Sequence, residues 1–178
     1  ICGGIYLDID STCQNPLREI ICCDDRAVLS HENNLVSTWN DEICKLESNE
    51  FLRSPPYKHL EHAENVLLQW LLIYEANHPI LAEVIERATW AILRYKEFPK
   101  HDRPSGHIRT IVNTGPLRYT DAIWHLLNTT PEIINTFRVD GIDFKGKASF
   151  QFPGQADKDR QVIHYAKLTD SFVTESVD

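Results

Sequence analysis

The 178-residue sequence contains no methionine, even at position 1, and it begins within a stretch that has the pattern of a strand. We therefore expect the chain to be an internal part of a longer protein. It also lacks any apolar run approaching the roughly 18 residues of a membrane-spanning helix, and its N-terminus lacks the basic region of a secretory signal. Membrane association is therefore expected only through a segment outside this chain.

Basic residues are few relative to acidic ones. Lys and Arg number 18 against 26 Asp and Glu, so the formal net charge is −8. Proteins bind nucleic-acid backbones through clustered Lys and Arg, so this balance argues against nucleic acid as a partner. Hydrophobic residues at 42% and charged residues at 25% are typical of a globular chain.

The cysteines form no CxxC pair, which argues against a structural zinc site. There are five, all in the first quarter of the chain: Cys2, Cys13, Cys22, Cys23 and Cys44. An odd count that includes two adjacent residues is not typical of a disulfide framework. We expect free thiols or small buried side chains.

Strand patterns occur near both ends of the chain. The apolar residues Ile5, Leu7 and Ile9 alternate with polar ones, which predicts a strand that ends in acidic residues. Short apolar runs at 19–23, 27–30 and 49–52 predict further strands or turns. From Val139 onward, short runs separated by glycines predict β-structure again, ending at 162–165.

Helical periodicity dominates the middle of the chain. Apolar stripes predict a largely buried helix over 60–74 and a second helix over 79–95, with a Glu83–Arg87 ion pair on its exposed side. The pattern of residues 108–112 predicts a short strand.

Two further helix starts are expected, at Thr120-Asp121 and at Thr130-Pro131. Strands mixed with helices in this way predict an α/β or α+β architecture.

The most informative segment is GGIYLDID, residues 3–10. Asp8 and Asp10 are two residues apart at a strand end, so their side chains project to the same side and repel each other unless a cation offsets the charge. Mg²⁺ or Mn²⁺ prefers such oxygen ligands and attracts phosphate in turn. Gly3 and Gly4 allow close backbone approach before the strand. The segment therefore indicates a metal–phosphate site, although solvated strand-end carboxylates have the same pattern.

One family with this pattern is the haloacid-dehalogenase-type phosphatases, whose nucleophile motif is D-x-D-x-T after an apolar strand. Residues 8–12, DIDST, resemble it, with Asp8 as nucleophile and Asp10 as general acid/base. That family also needs a downstream Ser or Thr, a Lys and an acidic pair. Asp140 and Asp143 are spaced as DxxD but lack the preceding glycine.

A second family fits the segment better. GGIYLDID followed by Pro16-Leu17 resembles the DXD glycosyltransferases of family 32, which include initiating α-1,6-mannosyltransferases and capsular-polysaccharide enzymes. Further matches follow in the family's order along most of the chain, at Asn49-Glu50-Phe51, Gln69-Trp70, His78-Pro79-Ile80-Leu81, Thr114-Gly115-Pro116, Thr120-Asp121-Ala122 and Val162-Ile163-His164-Tyr165. The Ser-Trp that usually follows the family's last His is absent after His164.

This resemblance implies a GT-A-like α/β fold, which is a Rossmann-like mixed sheet with flanking helices. It also implies that the N-terminal part of this fold is missing, so that 1–178 form a partial catalytic domain starting at the DXD strand. It implies a retaining transfer of a sugar from a GDP- or UDP-sugar to a glycan or lipid-linked acceptor, with Mn²⁺ or Mg²⁺ as cofactor. The implied metal ligands are Asp8, Asp10 and His164. The implied donor-binding residues are Gly3, Gly4, Tyr6, Asp8, Gly115 and Pro116.

The sequence leaves some alternatives open. No general base or nucleophile for the transfer emerges from it. Because Ser-Trp is missing after His164, a non-catalytic glycosyltransferase-like binding module is a third interpretation. The compartment stays open between a Golgi lumen, reached through an anchor outside the chain, and the bacterial cytoplasm or inner membrane face.

Overall fold

The computed structural model describes residues 2–9, 11–32, 66–97 and 106–150. Its strands are β1 (Gly4–Leu7), β2 (Ser11–Cys13), β3 (Ala27–His31), β4 (Leu71–Tyr74), β5 (Arg138–Ile142) and β6 (Ala148–Phe150). Its α-helices of two turns or more are α1 (Pro79–Arg94), α2 (Gly106–Asn113) and α3 (Pro116–Thr129), and shorter 3-10 helices span Leu17–Glu19, Tyr95–Glu97 and Pro131–Thr136. The described part is thus a mixed α/β structure.

Four strands form a mixed sheet in the order β1-β4-β3-β5. Strand β4 is antiparallel to both of its neighbours, β1 and β3, whereas β3 and β5 are parallel. Consequently β1, β3 and β5 all run in the same direction and their carboxyl ends lie at one edge of the sheet. A small antiparallel pair, β2 and β6, stands apart from this sheet.

The core lies on both faces of the four-stranded sheet, as the period of two in the central strands requires. On one face, Val28 of β3 and Ile73 of β4 pack with Ile20 and Phe144. On the other face, residues next to these in β3 and β4 pack against helices α1 and α3, in a cluster that contains Ala27, Leu29, Tyr74, Ile80, Tyr119 and Ile123. Strands β3 and β4 are therefore buried from both sides.

Several predicted elements are confirmed. Strands are found at Gly4–Leu7, Ala27–His31 and Arg138–Ile142, and helix α1 spans Pro79–Arg94. The predicted ion pair on α1 is present, with 2.5 Å between Arg87 Nε and Glu83 Oε1. It does not lie on the exposed side of the helix as expected, because Arg87 also pairs with the buried Asp121 of α3 and the side chains of Arg87 and Glu83 are only 11% and 19% exposed. The predicted strands at 49–52 and 162–165 lie outside the described residues.

Within the described residues, the helix predicted over 60–74 is wrong, because Leu71–Tyr74 form the central strand β4. The error has a physical cause. A strand that is buried on both faces shows no polar alternation, and its continuous apolar run satisfies a helical stripe equally well. The inferred burial was right, since Trp70, Leu71 and Ile73 are each at most 5% exposed.

Two other expectations are corrected by the structure. Residues 108–112 belong to helix α2 instead of a strand, whereas 19–23, expected as a strand or a turn, form the end of a 3-10 helix and a turn. Thr120 and Asp121 do not open a helix but lie buried inside α3, which begins at Pro116. The helix start expected at Thr130-Pro131 is found, with Thr130 as the N-cap and Pro131 as the first residue of the 3-10 helix Pro131–Thr136.

Helix α1 begins at a buried histidine. His78 is 1% exposed and is the N-cap: its Nδ1 accepts a hydrogen bond from the Ile80 N–H at 3.3 Å. The other ring nitrogen, Nε2, lies 3.1 Å from the carbonyl oxygen of Thr136 and donates to it. The geometry therefore requires the neutral tautomer, and burial lowers the pKa of His78 from its ordinary 6.5.

This cap predicts acid sensitivity. The stability contributed by neutral His78 is fully present above pH 6.5 and is lost as the pH falls through the lowered pKa, since protonation of Nδ1 removes the acceptor. His78→Asn supplies an uncharged cap acceptor, so we expect its unfolding free energy to fall less steeply between pH 6.5 and 5 than that of the wild type. Urea unfolding at each pH measures this, and equal slopes in the two proteins would refute the assignment.

Candidate functional site

Strand β1 begins at two glycines whose backbone conformation is one that residues with a side chain rarely adopt. Gly3 and Gly4 have φ of +67° and +131°. A Cβ on Gly3 would lie 2.3 Å from the backbone nitrogen of Ala76, so Gly3 lets the chain pass directly against the segment that follows β4. Nothing lies within 4 Å of a Cβ on Gly4. The close approach expected at the glycines is thus made by the protein's own backbone.

Strand β1 is an outermost strand of the four-stranded sheet, and its side chains are exposed. Tyr6, a predicted donor-binding residue, is 56% exposed, and its neighbours Ile5 and Leu7 are 46% and 38% exposed. Because strands rise about 3.3 Å per residue, Gly4 and Asp8 are separated by about 13 Å along β1. The glycines and Asp8 therefore lie at opposite ends of this strand.

Asp8 follows β1 directly and is anchored by its backbone. Its N–H donates to the Trp70 carbonyl at 2.9 Å, and its carbonyl accepts from the Ser11 N–H at 3.0 Å. The side chain is half-buried. The other two predicted metal ligands, Asp10 and His164, lie outside the described residues.

Two further carboxylates follow the strands that run in the same direction as β1. Glu32 comes directly after β3 and Asp143 directly after β5, so both lie at the same sheet edge as Asp8. We call Asp8, Glu32 and Asp143 the acidic edge. Each follows a different strand. The antiparallel strand β4 lies between β1 and β3, and Trp70 immediately precedes its first residue.

The charges of the acidic edge act on one another. The pKa of Glu32 is raised from 4.5 to about 8, first by burial and then by the negative charges of Asp143 and Asp8, while hydrogen bonding from Trp70 acts in the opposite direction. Glu32 therefore holds a proton at neutral pH when no cation is present. Carboxylate oxygens are the ligands that Mg²⁺ and Mn²⁺ prefer, so the negative potential of these residues would attract a divalent ion to this edge.

A complete metal site is not formed by the described residues alone. In the ranges 2–9, 11–32, 66–97 and 106–150, no three His, Cys, Asp or Glu side chains lie close enough to hold one ion together. Asp8 is thus the one predicted ligand whose position is known, with Glu32 and Asp143 on neighbouring strands.

Asp143 is presented by a strained turn. Asp143, Phe144, Lys145 and Gly146 have φ of 46°, 53°, 58° and 74°, so the chain makes a left-handed turn after β5. For residues with a side chain this conformation costs about 1–2 kcal/mol each. Phe144 offsets the cost because it is fully buried and its N–H donates to Ser30 Oγ at 2.8 Å. Such strain persists where the surrounding structure imposes it, often at functional positions.

The Thr114-Gly115-Pro116 segment is a tight turn between α2 and α3. The Gly115 N–H donates to the Thr110 carbonyl at 2.7 Å, and a Cβ on Gly115 would lie 2.7 Å from the Ile111 Cα. Pro116 then occupies the first turn of α3. A glycine at this position is therefore required by packing.

The turn at 114–116 lies at the same sheet edge as Asp8. Gln69 Nε2 donates to the Thr114 carbonyl at 2.9 Å. The next residue, Trp70, accepts the Asp8 N–H through its carbonyl. Two predicted donor-binding segments, more than 100 positions apart in the sequence, are thus connected through Gln69-Trp70.

Buried charges fix helix α3 behind this turn. Asp121 is 2% exposed and accepts from Arg118 at 2.7 Å and from Arg87 of α1 at 3.1 Å. Thr120 Oγ1 donates to the Pro116 carbonyl and accepts from the Leu67 N–H. The Thr120-Asp121 pair therefore holds α3 against α1 and the approach to β4, where sequence reasoning expected a helix start.

Glu32 and Asp143 were not among the predicted site residues. Their signal was available, because each is an acidic residue directly after an apolar strand pattern. The sequence pattern does not give the strand order, which places the carboxyl ends of β3 and β5 at the same edge as Asp8.

Comparisons of the chain with protein-family models, with curated proteins and with solved structures find no match. Among the described residues, no helix has both the length and the apolar character needed to cross a membrane.

A second glycine allows a matched stability test. Gly3→Ala combines a φ of +67° with a Cβ clash against Ala76, whereas Gly146→Ala has a similar φ of +74° and nothing within 4 Å of its Cβ. We expect Gly3→Ala to destabilise the fold by at least about 1 kcal/mol more than Gly146→Ala, because the backbone of Ala76 must move. Chemical denaturation of both variants measures the difference, and equal losses would contradict the packing described at Gly3.

The acidic edge predicts a second pH dependence, of opposite sign to that of His78. Because its folded pKa is raised, Glu32 contributes stability that is fully present below pH 4.5 and is lost as the pH rises through about 8. In EDTA, wild-type unfolding free energy should fall from pH 6.5 to 8.5 with a slope of at most about 1.4 kcal/mol per pH unit from this proton.

Two variants isolate the source of that slope. Glu32→Gln should flatten it, and Asp143→Asn should shift it to lower pH, since the Asp143 charge raises the Glu32 pKa. A slope unchanged in Glu32→Gln would show that another group releases the proton.

Proposed function

We propose that this chain belongs to a retaining, metal-dependent glycosyltransferase resembling family 32, which moves a sugar from a nucleotide-sugar to a glycan or lipid-linked acceptor. The observation that supports the proposal is the position of its two motif segments. The GGIYLDID strand ends with Asp8 at the acidic edge, and the Thr114-Gly115-Pro116 turn is attached to that edge through Gln69-Trp70. A mixed sheet with helices on one face is compatible with the GT-A fold that we propose for the whole domain.

The proposed roles follow the charge distribution. Asp8 and Asp10 would hold a Mn²⁺ or Mg²⁺ ion, with His164 as a further ligand, and Asp8 would also contact the donor ribose or sugar. When bound, the ion supplies positive charge that stabilises the diphosphate leaving group. Glu32 and Asp143 add negative potential beside it, which favours cation binding at this edge over any other edge of the sheet.

The turn at 114–116 would form one wall of the donor pocket. Gly115 has no side chain and is buried, so the backbone of the turn approaches its neighbours closely. The Asp121–Arg118–Arg87 contacts hold α3 in place and thereby fix the turn that precedes it. Tyr6, which is 56% exposed on the outermost strand β1, would contact the donor along that strand.

The phosphatase interpretation receives less support from the described residues. It requires a lysine beside the aspartate nucleophile. Lys145 Nζ lies 2.5 Å from Asp140 Oδ1, and Lys147 Nζ donates to the Glu19 carbonyl. Each of these two lysines therefore has a partner other than Asp8.

The test is nucleotide binding by the full-length protein. We expect calorimetry to detect GDP or UDP binding in the presence of Mn²⁺ and little or none in EDTA. Asp8→Asn and Asp10→Ala should each weaken it at least about 100-fold, because loss of a metal ligand should cost no less than the roughly 10–100-fold seen when only a hydrogen-bond partner of a ligand is lost. Asp24→Asn, an exposed carboxylate near the opposite edge of the sheet, is the matched control and should bind normally.

Sugar transfer by the same variants completes the test. Asp10→Ala should abolish transfer while Asp24→Asn retains it. Full transfer by Asp10→Ala would overturn the metal role, and hydrolysis of a phosphate ester with phosphorylation of Asp8 would favour the phosphatase.

A further inference from the structure

A second chemically distinctive feature lies at the other end of the sheet. Cys22 and Cys23 are adjacent, free and exposed. They occupy the loop before β3, at the amino end of that strand, whereas the acidic edge is at the carboxyl end. The proposed glycosyltransferase site does not use them.

The loop that carries the two thiols is held in a defined shape. The Asp25 N–H donates to the Cys22 carbonyl at 3.2 Å, which closes a four-residue turn, and the Cys22 N–H donates to Asp25 Oδ2 at 2.7 Å. Cys22 and Cys23 are therefore the first two residues of a turn that is closed at both ends by Asp25.

An arginine fixes this turn to the sheet. Arg138, the first residue of β5, donates through Nε and Nη2 to the two Asp25 carboxylate oxygens at 2.7 and 2.8 Å, and it also donates to the Ile20 carbonyl. The Asp25 side chain is 8% exposed. The Arg138 guanidinium holds the pKa of Asp25 below its ordinary value, so this clamp stays charged at neutral pH.

Neighbouring cysteines suit a bridging atom better than a direct disulfide. Adjacent Cα atoms across a trans peptide are about 3.8 Å apart, below the roughly 4.4–6.8 Å usual for disulfides. A soft atom between the two sulfurs relieves this restriction. Soft thiophilic species select sulfur ligands, and two thiols from one rigid turn bind such a species as a chelate.

We propose that Cys22 and Cys23 form a dithiol site for thiophilic trivalent metalloids, with organic arsenic(III) as the representative ligand. The reaction is a condensation without change of oxidation state. Each thiol gives one proton to the oxygen of an organoarsenic oxide, two As–S bonds replace the As=O bond, and one water leaves. Arsenic needs only two protein ligands in this product, which matches the two thiols that the turn offers.

The experiment uses the reduced, intact protein and phenylarsine oxide as the probe. We expect one tightly bound equivalent, seen by mass spectrometry as a single phenylarsenic adduct that a dithiol removes and a monothiol at the same concentration does not. Cys22→Ser and Cys23→Ser should each weaken binding about 100-fold or more, because the second bond is then no longer intramolecular.

The other cysteines provide matched controls. Cys2→Ser removes an exposed thiol, and Cys13→Ser removes a half-buried thiol whose pKa is raised by burial. Both variants, and Cys44→Ser, should retain the tight adduct. Retention of the adduct by the double variant Cys22→Ser/Cys23→Ser, or its equal loss in Cys2→Ser, would overturn the proposal.

The site is separable from the proposed function. Mn²⁺-dependent nucleotide binding should be the same with and without the phenylarsenic adduct, because the dithiol turn and the acidic edge lie at opposite ends of the sheet. Loss of nucleotide binding in the adduct would show that the two sites are not independent, contrary to this placement.

Discussion

The arrangement depends on strand β4, which pairs antiparallel with β1 on one side and with β3 on the other. This pairing makes β1, β3 and β5 run in one direction, so that the residues after them meet at one edge. It also buries Leu71 and Ile73 against Val28. The hydrophobic effect that stabilises β4 therefore also determines where Asp8, Glu32 and Asp143 are placed.

The carboxylates of the acidic edge repel one another, and the surrounding structure holds them in place. Burial of Phe144 keeps a left-handed turn in place behind Asp143, and the Asp8 backbone is bonded to Trp70. The unfavourable charge is reduced by a proton on Glu32 when no cation is present. The negative charges of Asp8 and Asp143 act on Glu32 at this edge, and we propose that the edge attracts a cation. At the opposite end of the sheet the Asp25 carboxylate pairs with Arg138, which also contacts Asp140.

Sequence reasoning succeeded where the signal is local. The alternation in residues 5–9 predicted β1, and the stripe after Pro79 predicted α1. It failed for β4, because a strand buried on both faces has no alternation, and it failed for 108–112, a helix too short to show its period clearly. Glu32 and Asp143 were missed because their proximity to Asp8 arises from strand order, a nonlocal property. The roles of Asp10 and His164 stay predictions, since both lie outside the described residues.

We propose that a divalent cation binds beside Asp8, at the edge that also carries Glu32 and Asp143. Paramagnetic broadening of assigned amide resonances by Mn²⁺ tests this proposal most directly. We expect substoichiometric Mn²⁺ to broaden the amides of Asp8, Glu32 and the turn 143–146 first and to leave those of Cys22–Asp25 sharp. Broadening that begins at 22–25, or that is uniform over the acidic surface, would contradict it.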